Sequence, residues 1–231
     1  MTTYLDYQAT TPLAPEAFAA MRPWLEDKFA NPHSPHRLGR EAAAAVEVAR
    51  DAVAALLPKG GKLYFTSGAT EALNWALRCA GTGGIAVLET EHAAVLDTAL
   101  WLGTQGRDVQ LLHVRPDGVV APASLADGTG MVAAMLVNNE IGVIQPVAEM
   151  ADLAHTSGAL FLCDAVQGFG RIAIPEGPDL IAISAHKIHG PKGIGALFVR
   201  RKPRVRLEAQ MHGGGHERGM RSGTLPTHQC V

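Results

Sequence analysis

The sequence contains few cysteines, few aromatic residues and little net charge. Its 3 cysteines (Cys79, Cys163 and Cys230) are odd in number and lack metal-site spacing, which argues against a disulfide framework and indicates a reducing compartment. A formal net charge of −2 gives no general affinity for nucleic acid or anionic membranes. No apolar run approaches the length of a membrane span, and no basic and apolar leader opens the chain. We therefore expect a cytoplasmic protein without nucleic-acid or membrane partners.

Hydrophobic residues are plentiful, at 47% of the chain with 18% charged residues, which is typical of a globular protein. From Lys62 onward, short apolar runs alternate with segments whose apolar residues recur at helical spacing. That alternation predicts an α/β fold, with a mostly parallel seven-stranded sheet and helices on both faces. The predicted strands are 63–66, 85–89, 109–114, 131–137, 159–163, 180–184 and 194–200, and the predicted helices are 69–79, 92–105 and 146–155, after a helix that follows Pro15 and a long one over 40–57.

The predicted strand 180–184 leads into a polar segment that contains Lys187 and is closed by Gly190 and Pro191. A lysine at the carboxyl end of a buried strand stands where open α/β sheets bind ligands. Desolvation there would lower its pKa and make the neutral amine a nucleophile for a Schiff base. Taken alone, such a lysine is more often a solvated residue of a turn, so the other strand ends decide between the two interpretations.

Two further strand ends carry suitable residue types. Ser67-Gly-Ala-Thr-Glu71 precedes a helix, and its small and hydroxyl residues favour an anion cup at the helix N-terminus. His92 opens the next helix, where an imidazole can stack on a flat ring or move a proton near neutral pH. In isolation, the first segment is more often a simple helix cap, and the second is equally well a surface histidine.

The predicted strand 159–163 is followed by Asp164, with Gln167 three residues later. An aspartate at the end of an apolar strand needs a cationic partner, and the N–H of a pyridinium ring would be one. Gln167 would then reach the phenolic oxygen of that ring, and Lys187 would hold its aldehyde carbon. A phosphate cup, a ring stacker, a pyridinium carboxylate and a Schiff-base lysine together describe one cofactor, pyridoxal 5'-phosphate.

In this order along the chain, the segments resemble the cysteine desulfurases, within the class V aminotransferase family of pyridoxal phosphate enzymes. The resemblance implies an aspartate-aminotransferase-like large domain over residues 14–231, after an N-terminal arm of residues 1–13. The matching segments are Tyr4-Leu-Asp-Tyr7, Ala9-Thr-Thr-Pro12, Asn31-Pro-His-Ser34, Thr66-Ser-Gly-Ala-Thr-Glu71, Glu91-His92, Asn138-Asn-Glu-Ile-Gly142, Asp164-Ala-Val-Gln167, Ser184-Ala-His-Lys187, Gly190-Pro-Lys-Gly193 and Arg221-Ser-Gly-Thr-Leu-Pro226.

The resemblance also implies a role for each matching site residue. Lys187 would bind the cofactor covalently and would be catalytic together with His92, which would stack on the ring and help move protons. Asp164 would contact the pyridine nitrogen and Gln167 the phenolic oxygen. The other implied contacts are Ala69, Thr70, Ser184 and His186 at the phosphate, Asn139 at cofactor and substrate, and Thr224 at the phosphate of a partner subunit in a homodimer with shared active sites.

The family reaction removes sulfur from L-cysteine, giving alanine and an enzyme persulfide that serves iron–sulfur clusters or tRNA thiolation. Two family features have no counterpart here: the persulfide-forming cysteine of the C-terminal domain and the arginine that clamps the substrate carboxylate. Cys79 and Cys163 fall inside a helix and a strand, where thiols are usually inert, and Cys230 precedes the family's loop. Ala185 replaces a common glycine, a minor change. We expect the cofactor-binding part of a desulfurase without its small C-terminal domain, either truncated or completed by a separate C-terminal chain.

Two alternatives stay open at this point. A related lyase or aminotransferase of the same fold needs no catalytic cysteine, and a non-catalytic subunit that keeps the dimer fold would act as a scaffold. The resemblance is also compatible with a scaffold or sulfur-acceptor protein as a partner. A lysine-based aldolase on another fold would leave the phosphate cup and Asp164 unexplained. The histidine pairs His212/His216 and His186/His189 lack a third ligand nearby, so we expect no metal site.

Overall fold

The computed structural model describes residues 3–121 and 124–231. Its elements confirm the predicted alternation of strands and helices. The strands are β1 (Gly61–Thr66), β2 (Gly84–Leu88), β3 (Val109–Leu112), β4 (Thr129–Met135), β5 (Leu160–Asp164), β6 (Leu180–Ser184) and β7 (Gly195–Arg200). The helices are α1 (Pro15–Glu26), α2 (Arg37–Ala54), α3 (Ala69–Cys79), α4 (Ala93–Thr104), α5 (Val147–Thr156) and α6 (Thr227–Cys230), with short 3-10 turns at Ala185–Lys187 and Glu217–Gly219.

The seven strands form one sheet in the order β1-β7-β6-β5-β4-β2-β3. Every neighbouring pair is parallel except the two that involve β7, which is antiparallel to both β1 and β6. The sheet is therefore mostly parallel, as predicted. Because β1 and β6 run in the same direction, their carboxyl ends lie at the same edge, one on each side of β7.

Side chains of each strand alternate between two apolar layers, one on each face of the sheet. Leu63 and Phe65 of β1 join the layer that contains Val46 of α2 and Met150 of α5. Tyr64, between them in the sequence, packs on the opposite face with α3 and α4. This period of two follows from the pleat of a strand. The inner strands β2 and β6 are buried at all five positions, which explains why they read as uninterrupted apolar runs.

Element boundaries differ from the prediction by one to three residues at several ends. The long helix predicted over 40–57 begins at Arg37, because His36 caps it through a hydrogen bond from the Gly39 amide to the His36 ring, 3.2 Å long. The strand predicted over 109–114 ends at Leu112, and the residues that follow bind the Glu89 carboxylate instead. The strand predicted over 131–137 is shifted to Thr129–Met135.

Residues 3–14 contain no helix or strand and lie against the segment that carries Lys187. The Thr11 amide and hydroxyl both donate to the His186 carbonyl, at 3.0 and 2.9 Å. The Ala14 amide donates to the His189 carbonyl at 2.9 Å. Residues 1 and 2 of the predicted arm lie outside the described residues, and the division into an arm and a domain stays a prediction. In the described part of the chain, no helix is both long and apolar enough to cross a membrane.

Candidate functional site

A cavity of about 780 Å³ lies at the carboxyl ends of the parallel strands. Sites for small molecules and cofactors commonly have about 300–1,000 Å³. Thr224 is exposed and is not among the lining residues. The predicted site residues that line the cavity are Ala69, Thr70, His92, Asn139, Asp164, Gln167, Ser184, His186 and Lys187.

Lys187 is half-buried at the end of the 3-10 turn that follows β6. Its Nζ atom donates to the backbone carbonyls of Gln8 and Ala9, the second at 3.0 Å. Burial lowers the pKa of the Lys187 amine, although Asp164 and Asp6 act in the opposite direction. A lowered pKa makes the neutral, nucleophilic amine more accessible near neutral pH. The Gln8 and Ala9 carbonyls that hold this amine were not predicted, since backbone groups leave no signal in residue type.

Asp164 is the last residue of β5 and is only 7% exposed. Its Oδ1 atom accepts a hydrogen bond of 3.0 Å from the Val166 amide. Burial raises the pKa of the Asp164 carboxyl, whereas His92 and Lys187 lower it. The Asp164 carboxyl group faces the cavity and has few hydrogen-bond partners within the protein. A cation or a charged N–H in the cavity would therefore stabilise its ionised form.

His92 is the N-cap of α4, and its Nδ1 atom accepts a hydrogen bond of 3.0 Å from the Ala94 amide. In the neutral ring, the proton is then on Nε2. Gln167 is also oriented by its neighbours: its Nε2 donates to the Gln8 carbonyl at 2.9 Å, and its Oε1 accepts from Arg171 at 3.1 Å. Both side chains are thus held in defined positions at the wall of the cavity.

The predicted anion cup is the turn between β1 and α3. Gly68 is the N-cap of α3, so the first amides of this helix, beginning with Ala69, have no carbonyl partner within it. Such amides, with the positive end of the helix dipole, bind anions. Thr66 and Ser184, the last residues of β1 and β6, both pair with Gly195. A Cβ atom on Gly195 would lie 2.7 Å from the Gly68 Cα, so this glycine permits the cup to approach Ser184.

A second feature of the cup, not predicted from sequence, is a network around Glu71. The Glu71 carboxylate accepts hydrogen bonds from the Ser67 amide at 2.6 Å and from Arg221 at 2.7 and 3.0 Å. Gln210 also donates to it, at 2.5 Å. Burial opposes ionisation, but the hydrogen bonds from Arg221 and Ser67 hold the pKa of Glu71 below its usual value. The network connects the cup to the loop that leads to Thr224.

Asn138 and Asn139 have different environments. The Asn138 side chain donates to the Thr90 carbonyl at 2.9 Å and accepts from the amides of Glu140 and Ile141 at 2.8 and 3.0 Å. Asn138 therefore organises its own loop. Asn139 lines the cavity, and its side-chain amide donates to the Glu140 carboxylate at 2.6 Å.

None of the three cysteines has the properties of a reactive thiol. Cys163 is fully buried in β5, and burial raises its pKa well above the ordinary value. Burial also raises the pKa of Cys79, and it raises that of Cys230 to about 12. Since the thiolate is the nucleophile, all three thiols are poor sulfur acceptors. The described residues contain no group of three or more His, Cys, Asp or Glu side chains arranged to hold a metal ion.

Known proteins are similar to this chain in sequence and in fold. Among curated relatives, the cysteine desulfurase IscS of Dechloromonas aromatica is 49% identical over 244 residues, and that of Aeromonas salmonicida is 50% identical over 245. These alignments include 99% of the present chain but only 60% and 61% of the relatives. The chain thus spans about three fifths of the length of the curated relatives it matches.

Solved structures show the same relationship. A NifS-like protein superposes with a TM-score of 0.93 at 35% identity, over 100% of this chain and 67% of the other. The structure titled SspA in complex with cysteine gives a TM-score of 0.89 at 33% identity, over 99% and 70% of the two chains. Residues 3–228 match the family model described as aminotransferase class-V. The chain therefore belongs to the class V aminotransferases, the pyridoxal phosphate-dependent family that includes the cysteine desulfurases.

Proposed function

We propose that the chain is the cofactor-binding part of a cysteine desulfurase that acts on L-cysteine in the cytoplasm. One observation carries the proposal: Lys187 and the buried Asp164 face the same cavity as the anion cup at α3. These are the groups that a pyridoxal phosphate site requires. The sulfur would pass to an acceptor for iron–sulfur clusters or thiolated tRNA.

The residues present fit the cofactor. The free amides at the start of α3, together with Thr70, Ser184 and His186, would hold its phosphate. Asp164, with one internal hydrogen-bond donor and a position at the cavity wall, would accept from the pyridine N–H. When bound, pyridoxal phosphate supplies an aldehyde that captures an amine and a ring that withdraws electrons from the captured amino acid.

The protein's own residues would act as follows. Lys187, whose Nζ is held by the Gln8 and Ala9 carbonyls, would be the residue that carries the cofactor, and its lowered pKa favours the neutral amine that this role requires. His92, with Nδ1 engaged by the Ala94 amide, would offer Nε2 to hold or move a proton in the cavity. Gln167 and Asn139 would orient the bound molecule from the cavity wall.

The assembly is also part of the proposal. Thr224 is exposed and lies outside its own chain's cavity, which supports a role at the phosphate of a partner subunit in a homodimer. Cys163 and Cys230 are buried, Cys79 is partly buried, and burial raises the pKa of all three thiols, which supports an acceptor thiol from elsewhere, such as a further C-terminal segment or a separate chain. The same observation favours a second candidate, a family lyase or aminotransferase that needs no thiol.

Absorption spectroscopy tests the cofactor site. The purified chain mixed with pyridoxal phosphate should develop the visible absorption of the lysine-bound cofactor, and Lys187→Ala should abolish it. Lys192→Ala is the matched control, since Lys192 also lines the cavity and should not be required for the band. A colourless wild-type protein, or equal colour in Lys187→Ala, would refute the site.

Sulfide release from L-cysteine tests the reaction. The isolated chain should release little or none, because no described cysteine carries an accessible thiolate. Adding a protein that supplies an exposed cysteine, together with a thiol reductant that frees sulfide from the persulfide formed on it, should increase release if the desulfurase is correct. Rapid turnover by the chain alone would contradict this account of the acceptor, and formation of keto acid instead of sulfide would favour the aminotransferase.

A further inference from the structure

Glu91 is a buried acid that the proposed mechanism does not use. It lies in the turn between β2 and α4, directly before His92, and is 6% exposed. It takes part in none of the ion pairs of the described residues. Its Oε2 atom is buried without a hydrogen-bond partner. A buried carboxylate with neither cation nor full hydrogen bonding is strongly unfavourable, so its protonation state needs an explanation.

The other oxygen of Glu91 fixes its position in the sheet. Oε1 accepts a hydrogen bond of 2.5 Å from the amide of Met135, the last residue of β4. Met135 is the registered partner of Asp164 on the neighbouring strand β5. The Glu91 carboxyl therefore connects the turn that presents His92 to β4, at the level of the aspartate proposed to bind the cofactor ring.

The Asp164 charge is one of the groups that act on Glu91. The titratable groups around this end of the sheet are Asp164 and Cys163 of β5, His92 at the start of α4, and Lys187 after β6. Burial raises the pKa of Asp164 as well, but the Val166 amide, His92 and Lys187 all oppose that rise and favour its ionised form. For Glu91, burial first and the Asp164 charge second raise the pKa well above its usual value, and only the Met135 amide opposes them.

We propose that Glu91 is a positioning residue that is protonated in the native protein, with its proton on Oε2. In this neutral form it ties the turn of His92 to β4 and leaves Asp164 as the single negative charge at this place in the site. Two ionised carboxylates here would repel each other and would drive a proton onto Asp164. An ionised Asp164 could then accept a hydrogen bond from the N–H of the cofactor ring. This consequence rests on the proposed function.

The proton on Glu91 is tested in the cofactor-free chain by thermal unfolding of wild type and Glu91→Gln. An unfolded glutamate ionises near its ordinary pKa of 4.5, whereas the native Glu91 keeps its proton to higher pH. Between these values the native state binds more protons than the unfolded state, so the free energy of unfolding falls as pH rises. Glutamine retains the acceptor for Met135 and does not titrate. The melting temperature of Glu91→Gln should therefore rise relative to that of wild type between about pH 5 and about pH 8. The expected relative gain is at least about 2–4 °C.

Glu89→Gln is the matched control in the same turn. The Val114 amide and His113 bind the Glu89 carboxylate and lower its pKa, so that glutamate contributes stability that is lost as pH falls. The stability of Glu89→Gln relative to wild type should therefore fall between about pH 5 and about pH 8, whereas that of Glu91→Gln should rise. A Glu91→Gln protein that loses as much stability at about pH 8 as at about pH 5 would overturn the proposal.

Titration with pyridoxal phosphate tests the positioning role. Glu91→Gln should retain the visible band with near wild-type affinity, whereas Glu91→Ala, which removes the link to Met135, should weaken binding by about tenfold. Equal affinity in all three proteins would refute the positioning role. If wild type itself fails to bind the cofactor, the proposed function fails, but the unfolding experiment still decides whether Glu91 holds a proton.

Discussion

Two buried aspartates lie at opposite ends of the central strands and have different surroundings. Asp179, 2% exposed, precedes β6 at the edge away from the cavity. Its carboxylate accepts from His155 and from the Phe161 amide at 2.8 and 2.9 Å, and it lies 3.7 Å from Arg200. Asp164, 7% exposed, ends β5 at the cavity and accepts from the Val166 amide.

The difference is the one expected between a structural acid and an acid that binds a ligand, which is the role proposed for Asp164. Asp179 has several partners, all supplied by the fold, so its charge is compensated internally and joins α5, β5 and β7. Asp164 has fewer, so folding leaves part of its hydrogen-bonding capacity directed to the cavity. A buried charge that the fold does not compensate is a stability cost, and such groups concentrate at functional sites. The two aspartates can be separated by experiment.

The largest expected effect is on stability in Asp179→Asn. Loss of the charge leaves His155 and Arg200 without their carboxylate and should reduce the free energy of unfolding by about 3 kcal/mol. Urea unfolding measures this loss. Cofactor affinity of the folded protein should stay unchanged; a loss of affinity with intact stability would reverse the assignment.

The next effect is on cofactor affinity in Asp164→Asn. Replacing a charge-assisted hydrogen bond to the pyridine N–H by a neutral one should weaken pyridoxal phosphate binding by about 10–100-fold. Titration followed by visible absorption measures the affinity, with Asp179→Asn as the control. Wild-type affinity in Asp164→Asn would show that this carboxyl does not contact the ring.

A third carboxylate, Glu71, is at the site but is paired, and it provides an intermediate case. Arg221→Gln would leave the Glu71 charge uncompensated beside the anion cup and should weaken binding of the cofactor's phosphate by about tenfold. Adding Glu71→Gln to the same protein should restore much of the affinity. If the double variant binds no better than Arg221→Gln, Arg221 acts through loop structure and not through charge.

The smallest effect is on the stability of the cofactor-free chain. Burial raises the pKa of Asp164 above its ordinary 3.8, so the native state binds more protons than the unfolded state and loses stability as pH rises through that window. Asp164→Asn should therefore gain stability relative to wild type as the pH rises from strong acid to neutral. A destabilised Asp164→Asn at neutral pH would place Asp164 with Asp179 as a structural acid.

Much of the fold could be predicted from the sequence because the signals are local. The strand 180–184 and the helix 69–79 have the predicted bounds, since one is an unbroken apolar run and the other follows the turn-forming Gly68. The position of β7 could not be predicted. Its antiparallel pairing joins β1 to residues far away in sequence, and no local pattern specifies which strands become neighbours.

In the candidate site too, features with a local sequence signal could be predicted and long-range contacts could not. Residues that follow strands were brought together because the carboxyl ends of parallel strands meet at one edge, and most predicted site residues line one cavity. The Glu71–Arg221 pair was missed because its members are 150 residues apart. Glu91 was missed as a buried group because Thr90-Glu91-His92 reads as a polar turn, and only packing against β4 removes it from water.

The antiparallel strand β7 gives the site its dimensions. If β1 lay directly beside β6, the anion cup and the lysine segment would start one strand width apart, about 4.8 Å, whereas β7 makes the separation about 9.5 Å. The residue of β7 at this edge, Gly195, has no side chain, and the Gly68 backbone rests on it. Strand β7 thus separates β1 from β6, and the missing side chain of Gly195 lets the Gly68 backbone lie against it. A methyl group at position 195 would lie 2.5 Å from the Ile183 carbonyl of β6 and 2.7 Å from the Gly68 Cα, so it would push on β6 and on the cup together and change the distance between the cup and Ser184.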